Sequence, residues 1–157
     1  MTSSLSSGNG PSVKYSAPVW DVIEPRLYPT LLLVGSATIL ASIIGVWLGI
    51  RSGWNRGSRF DKGSTSTTLV LYSMPEFWFG MIVLIVFAVG VGPFPGIFPT
   101  GGLSTPGVDT STPAGWLDVI WHLTLPVFTL TVIYLAEYSL IMRASVIEER
   151  SQDYVTT

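Results

Sequence analysis

The chain has 157 residues, of which 48% are hydrophobic and only 11% charged, and its mean hydropathy is +0.51. Eight Lys and Arg against ten Asp and Glu leave a net charge of −2. These are too few charges to coat a water-soluble body of this size, and they form no basic face for nucleic-acid phosphates. The lack of cysteine excludes disulfides and thiolate metal sites, and a single histidine, His122, makes a poor start for a transition-metal site.

Residues 1–29 form a Ser-, Gly- and Pro-rich tail with one Lys and one Arg, without the basic start and apolar core of a signal peptide. Three apolar runs follow, each near the roughly 20 residues that a helix rising about 1.5 Å per residue needs to cross a bilayer. They cover residues 30–50, 69–91 and 123–142, which predicts an all-α integral membrane protein with three transmembrane helices. Lys and Arg in short loops stay on the cytoplasmic side. Arg51, Arg56, Arg59 and Lys62 crowd the loop 51–68, whereas no Lys or Arg occurs between Gly63 and Met142. The loop 51–68 is therefore expected inside, the loop 92–122 and the N-terminal tail outside, and the C-terminus, marked by Arg143 and Arg150, in the cytoplasm.

In the first run Ala37, Ala41, Gly45 and Gly49 recur every four residues, and Gly53 continues the series. This spacing makes one smooth helix face that lets another helix approach closely. The ladder predicts tight packing in a larger bundle, with helices beyond these three runs.

The second run contains "LYSMPEFWFG", which sets Pro75 and Glu76 side by side after Tyr72. Pro75 removes a backbone donor and bends a helix, and a carboxylate near the bilayer centre costs about 2.5–3.5 kcal/mol on insertion scales. Such groups persist where they face protein or a water-filled cavity. Glu137 repeats the pattern in the third run. Counting about 1.5 Å per residue puts Glu76 and Glu137 about 9–10 Å from the inner ends of their spans, a depth that suits one shared cytoplasm-facing vestibule. Each is either a carboxylate bonded to a neighbouring helix or a group on a transport pathway. Between these runs, the Pro- and Gly-dense loop 92–122 predicts irregular structure with one short helix near "AGWLDVIWHL". Trp116 and Trp121 fall at the outer interface, either anchoring the third span or meeting a partner. Residues 143–157 read from composition as a helix end with ordinary solvated charges.

Five segments, "RLYPTLLLVGSATILASIIGVWLGI", "LYSMPEFWFGMIVLIVFAVG", "IFPTGGL", "WHLTLP" and "MRASVIEERSQDYVTT", together resemble the inner-membrane permease subunit of dipeptide, oligopeptide and nickel importers of the ATP-binding-cassette class. "SQDYVTT" is the most specific, because a similar Asp-Tyr-Val segment in that family leads into the cytoplasmic coupling loop. The resemblance implies a six-span subunit of a bacterial or archaeal plasma membrane that works by alternating access. Its implied partners are a second permease, two ATPases and an extracytoplasmic substrate-binding protein. Tyr72, Pro75, Glu76 and Glu137 are the candidate residues of a substrate pathway, argued from the bend at Pro75 and the depth of the two carboxylates. Arg143, Glu148, Asp153 and Tyr154 would begin the surface that receives the ATPase push. Against the family pattern this chain lacks the first span and the part after Thr157, so it reads as a piece of such a permease.

No Gly-x-x-x-x-Gly-Lys-Ser/Thr phosphate loop occurs, and "DKGSTST" lacks the upstream glycines, so ATP and magnesium are expected on the partner ATPases and no cofactor in this chain. Nothing resembles a nucleophile, base and orienting group, which argues against an enzyme. The rival reading is a three-span membrane scaffold that holds a larger complex through the glycine ladder. Peptide is favoured over nickel as the cargo, since His122 gives no reason to expect a metal.

Overall fold

The computed structural model describes residues 19–151. Its helices are α1 (Val19–Trp54), α2 (Arg59–Ser73), α3 (Glu76–Leu84) and α4 (Pro113–Arg150). A five-residue π-helical stretch, Ile85–Val89, extends α3 and leads into a minimal hairpin of β1 (Gly90–Val91) and β2 (Phe94–Pro95). α1 and α4 are long and apolar enough to cross a membrane, and α2 with α3 makes a third such element only if taken as one span bent by 96°. The protein is a multi-pass, mostly helical membrane protein.

The helices outrun the apolar runs. α1 begins at Val19, so residues 19–29 of the expected tail are helical, and residues 1–18 lie outside the description. Charges end a hydrophobic run without ending a helix, because the backbone ladder continues wherever its bonds are satisfied. For the same reason the expected inner loop 51–68 shrinks to the turn at residues 55–58. Gly57, at φ +84°, reverses the chain there. Ser58 then caps α2 by accepting a hydrogen bond from the Asp61 amide at 3.1 Å. The short helix expected near "AGWLDVIWHL" is the start of α4 itself, with Thr112 as N-cap and Pro113 in the first turn. α4 runs on through Pro126 without a stop.

The second run is broken rather than bent. Met74 is extended (φ −80°, ψ 136°) because proline disfavours the helical region for the residue before it. Pro75 is extended too (φ −61°, ψ 126°), and its carbonyl accepts from the amides of Trp78 and Phe79 to start α3. Two consecutive extended residues turn the axis by 96°, so depth counted along a straight rod does not hold for Glu76. Beyond α3, the π turn leaves the Phe87 carbonyl free to accept from the amides of Ile97 (2.7 Å) and Phe98 (3.0 Å), which ties the outer loop back to α3. The loop is also tied to α4. Thr105 donates its amide (2.6 Å) and hydroxyl (2.8 Å) to Asp118, and Phe98 stacks on Trp121 with ring centres 4.5 Å apart. Buried Val83, Ala88 and Leu125, with Phe79 and Phe98 against them, make a small apolar core under this loop.

α1 and α4 run parallel and touch along the glycine ladder. Ala37 and Ala41 are fully buried, and Gly45, Gly49 and Gly53 are buried below them. A Cβ on these three glycines would stand 2.9, 2.7 and 3.0 Å from the carbonyl oxygens of Leu135, Ser139 and Arg143, which are themselves spaced by four. The missing side chains thus admit the backbone of α4, in the geometry of weak Cα–H···O contacts. The ladder's partner lies inside the chain, contrary to the expectation that it needs a helix from elsewhere.

Several hydroxyls in the helices bond to their own helix backbone. Thr30, Thr68, Ser73, Thr124 and Thr129 each donate to the carbonyl four residues back, at 2.7–2.9 Å. A local bond of this kind lets a hydroxyl sit in an apolar medium without an unsatisfied donor.

Candidate functional site

The break between α2 and α3 faces α4. Leu71, Tyr72, Met74, Pro75 and Glu76 from the broken span, with Ile133 and Glu137 from α4, line a cavity of about 400 Å³. The four residues singled out as a candidate pathway, Tyr72, Pro75, Glu76 and Glu137, therefore stand in one wall. Glu76 gets there because Pro75 starts a new helix with the glutamate in its first turn, where a carboxylate is favoured by the helix dipole. Glu137 gets there because Ala136 and Ser139 are buried at the α1 seam, which turns the intervening position outward.

Both carboxylates are exposed, and neither has a hydrogen-bond or ion partner among the described residues. Within this chain neither is the buried, internally bonded carboxylate of the structural alternative. Two acids in a cavity that Tyr72 also lines can hold an ammonium group or a file of water, and Leu71, Met74 and Ile133 offer apolar surface around them. The volume falls in the roughly 300–1,000 Å³ range of small-molecule sites.

A second polar feature escaped the sequence reading. Asp61, 3% exposed, accepts from Arg143 Nε (2.6 Å) and Nη2 (3.1 Å), from the Gly57 amide (2.8 Å) and from Thr65 Oγ1 (3.1 Å). This bidentate pair fastens the start of α2 to α4. Arg143, expected on the coupling surface, thus points inward onto Asp61. "DKGSTST" forms the first turns of α2, where Asp61 and Thr65 share this network. Glu148 remains exposed near the end of α4, while Asp153 and Tyr154 lie outside the described residues. The signal for Asp61 was Ser58 three residues earlier, a capping spacing, but Arg143 is 82 residues away and nothing local points to it.

A larger cavity of about 490 Å³ opens toward the outer loop, lined mainly by Leu33, Leu84, Pro99, Gly102, His122 and Pro126. His122 Nδ1 lies 2.8 Å from the Asp118 carbonyl of its own helix. In the adjoining loop, Ser111 donates its hydroxyl and amide to Asp109, which holds that carboxyl below the usual range.

A family model described as the binding-protein-dependent transport system inner membrane component matches residues 41–157, which include the ladder from Ala41 onward, the broken span and all of α4. The chain belongs to this permease family. It is 36% identical over 145 residues to the oligopeptide transport system permease protein AppB of Bacillus subtilis, covering 92% of this chain and 43% of that protein. It is 32% identical over 165 residues to the dipeptide transport system permease protein DppB of Escherichia coli (94% and 48%). To the di/tripeptide permease protein DppB of Pseudomonas aeruginosa it is 33% identical over 164 residues (98% and 49%). The chain thus spans just under half the length of these curated relatives.

Proposed function

We propose that this chain builds one wall of the substrate path in an ATP-driven importer of peptides. The observation that carries the reading is the pair of carboxylates, Glu76 and Glu137, without a partner among the described residues and facing one cavity with Tyr72 where a membrane span is broken. The family match and the peptide permeases among the relatives support it. In this reading the carboxylates receive the amino end of a peptide while the apolar wall accepts varied side chains. Peptide is preferred to nickel, because His122 lies outside this cavity, against its own helix.

The chain acts as a permease component and not as an enzyme. ATP and magnesium belong to two separate ATPase subunits, and the unit is completed by a second permease and an external binding protein. The N-terminal tail lies outside and the C-terminus in the cytoplasm. Residues from Arg143 through Glu148 to Asp153 and Tyr154 lead into the surface that the ATPases move, with the Asp61–Arg143 pair as its root on α2. The scaffold reading loses its main support, since the ladder through which it would hold a complex is filled by α4.

The test is uptake by the complete permease with Glu76→Gln or Glu137→Gln. Each loses a charge-assisted bond, so uptake per permease in the membrane should fall about tenfold or more, and Asp at the same site should retain more than Gln. Unchanged transport in both Gln variants would refute the pathway role.

A further inference from the structure

The basic end of the α1–α4 seam carries two cavities that meet at one arginine. The first, about 230 Å³, is lined by Gly53, Arg56, Ile147, Arg150 and Ser151. Among the described residues, two cationic side chains and no carboxylate thus line a small polar space. Asp61, in the first turn of nearby α2, is committed to Arg143, and Glu149 lines the second cavity but not the first. Like charges brought together without a counter-ion repel, so the arrangement fits an anion.

The second cavity, about 300 Å³, is walled mainly by Ile50, Trp54, Met142 and Val146, with Arg150 shared between the two. The Arg150 guanidinium donates to the Trp54 carbonyl and lies 4.9 Å over the Trp54 ring, which fixes it at the boundary of the polar and apolar spaces.

We propose that this double cavity binds an anionic phospholipid, with the phosphate between Arg56 and Arg150 and an acyl chain along Ile50, Trp54 and Met142. The depth fits. Ile50 and Met142 close the apolar runs of their spans, and Trp54 lies four residues beyond Ile50, about 6 Å at a helical rise of 1.5 Å. The headgroup layer on each side of the hydrocarbon is roughly 5–8 Å deep. Indole rings favour this level, and cations there attract acidic headgroups. Two guanidinium groups also disfavour the choline ammonium of a zwitterionic lipid. The seam itself explains the notch. Gly53 brings α1 against Arg143 and Val146, so the side chains that diverge from the contact, Arg56 and Arg150, frame the space beside it.

The test reconstitutes the full chain in vesicles of phosphatidylcholine and phosphatidylglycerol at about 3:1, extracts it gently and counts retained lipids by mass spectrometry. Phosphatidylglycerol should be retained well above its share. Removing one basic contact should weaken that retention about fivefold in Arg56→Gln and by more than tenfold in Arg56→Gln/Arg150→Gln. Arg56 lies in an exposed turn, so its single substitution keeps the test meaningful even where the double variant fails to fold. The pair Arg59→Gln/Lys62→Gln, on α2 outside the notch, should change retention less than about twofold. Equal retention of the two lipids, or an equal loss in the α2 pair, would overturn the site in favour of diffuse attraction. Release of phosphatidylglycerol by millimolar inorganic phosphate would make it a free-anion pocket. Unchanged lipid retention in the Arg56 and Arg150 variants, with lost binding of the ATPase subunits, would make it a protein contact instead.

Discussion

Gly49→Ala is the sharpest probe of how the two crossing helices are held. The new Cβ would stand 2.6 Å from Met142 Cβ, 2.7 Å from the Ser139 carbonyl oxygen and 3.0 Å from the Arg143 amide nitrogen. Two of these three are main-chain atoms, so no change of rotamer relieves the overlap. Restoring ordinary contact at 3.4 Å needs a separation of 3.4 − 2.7 = 0.7 Å at Ser139, which also loosens the contacts at Gly45 and Gly53. Overpacking of this kind costs about 1–3 kcal/mol, against a gain of about 1 kcal/mol from replacing a helical glycine with alanine. Gly35 is the internal control, because a Cβ there meets nothing within 4 Å. Gly35→Ala should therefore stabilise by about 0.5–1 kcal/mol, and the gap between the two variants isolates the overpacking. Unfolding in mixed micelles, followed by far-ultraviolet circular dichroism, measures both. Gly45→Ala/Gly49→Ala should cost less than the sum of its parts, since helices already parted accept the second methyl more easily. Equal shifts for Gly49→Ala and Gly35→Ala would refute the close seam.

Asp61→Asn should destabilise by about 2–4 kcal/mol, because it leaves a partly buried guanidinium without its carboxylate, and adding Arg143→Met should recover at least half of the loss. The same unfolding assay checks both, and protease cleavage in the 55–58 turn should rise in the single variant and fall back in the double. Cysteines at Ser58 and Thr105 should label from opposite sides of the membrane; labelling of both from outside intact cells would contradict the orientation inferred from Arg51 to Lys62.

Helical class and membrane character were legible because each apolar run is long and nearly free of charge. The ladder was legible because small residues at every fourth position have one structural use in a membrane, yet its partner was not. Gly45, Gly49 and Gly53 say how near a helix comes, while the carbonyls of Leu135, Ser139 and Arg143 carry no sequence mark. The 96° turn within the second span was not legible because hydropathy counts side chains, and the turn is made by the backbone of Met74 and Pro75. The same backbone event invalidated the depth count for Glu76 while still setting it beside Glu137 in one cavity. Asp61 and Arg143 are joined only by the fold, so nothing in the sequence pairs them.

Photocrosslinking tests the central claim most directly. A photoreactive phenylalanine analogue at Tyr72 or Ile133, in the complete permease with its ATPases and binding protein, should capture a labelled peptide during ATP-driven uptake. The same analogue at Ile39, 61% exposed on α1 and outside the carboxylate cavity, should capture none. Equal capture at Ile39, or no capture at Tyr72 and Ile133 while peptide is being taken up, would contradict a substrate path past Glu76 and Glu137.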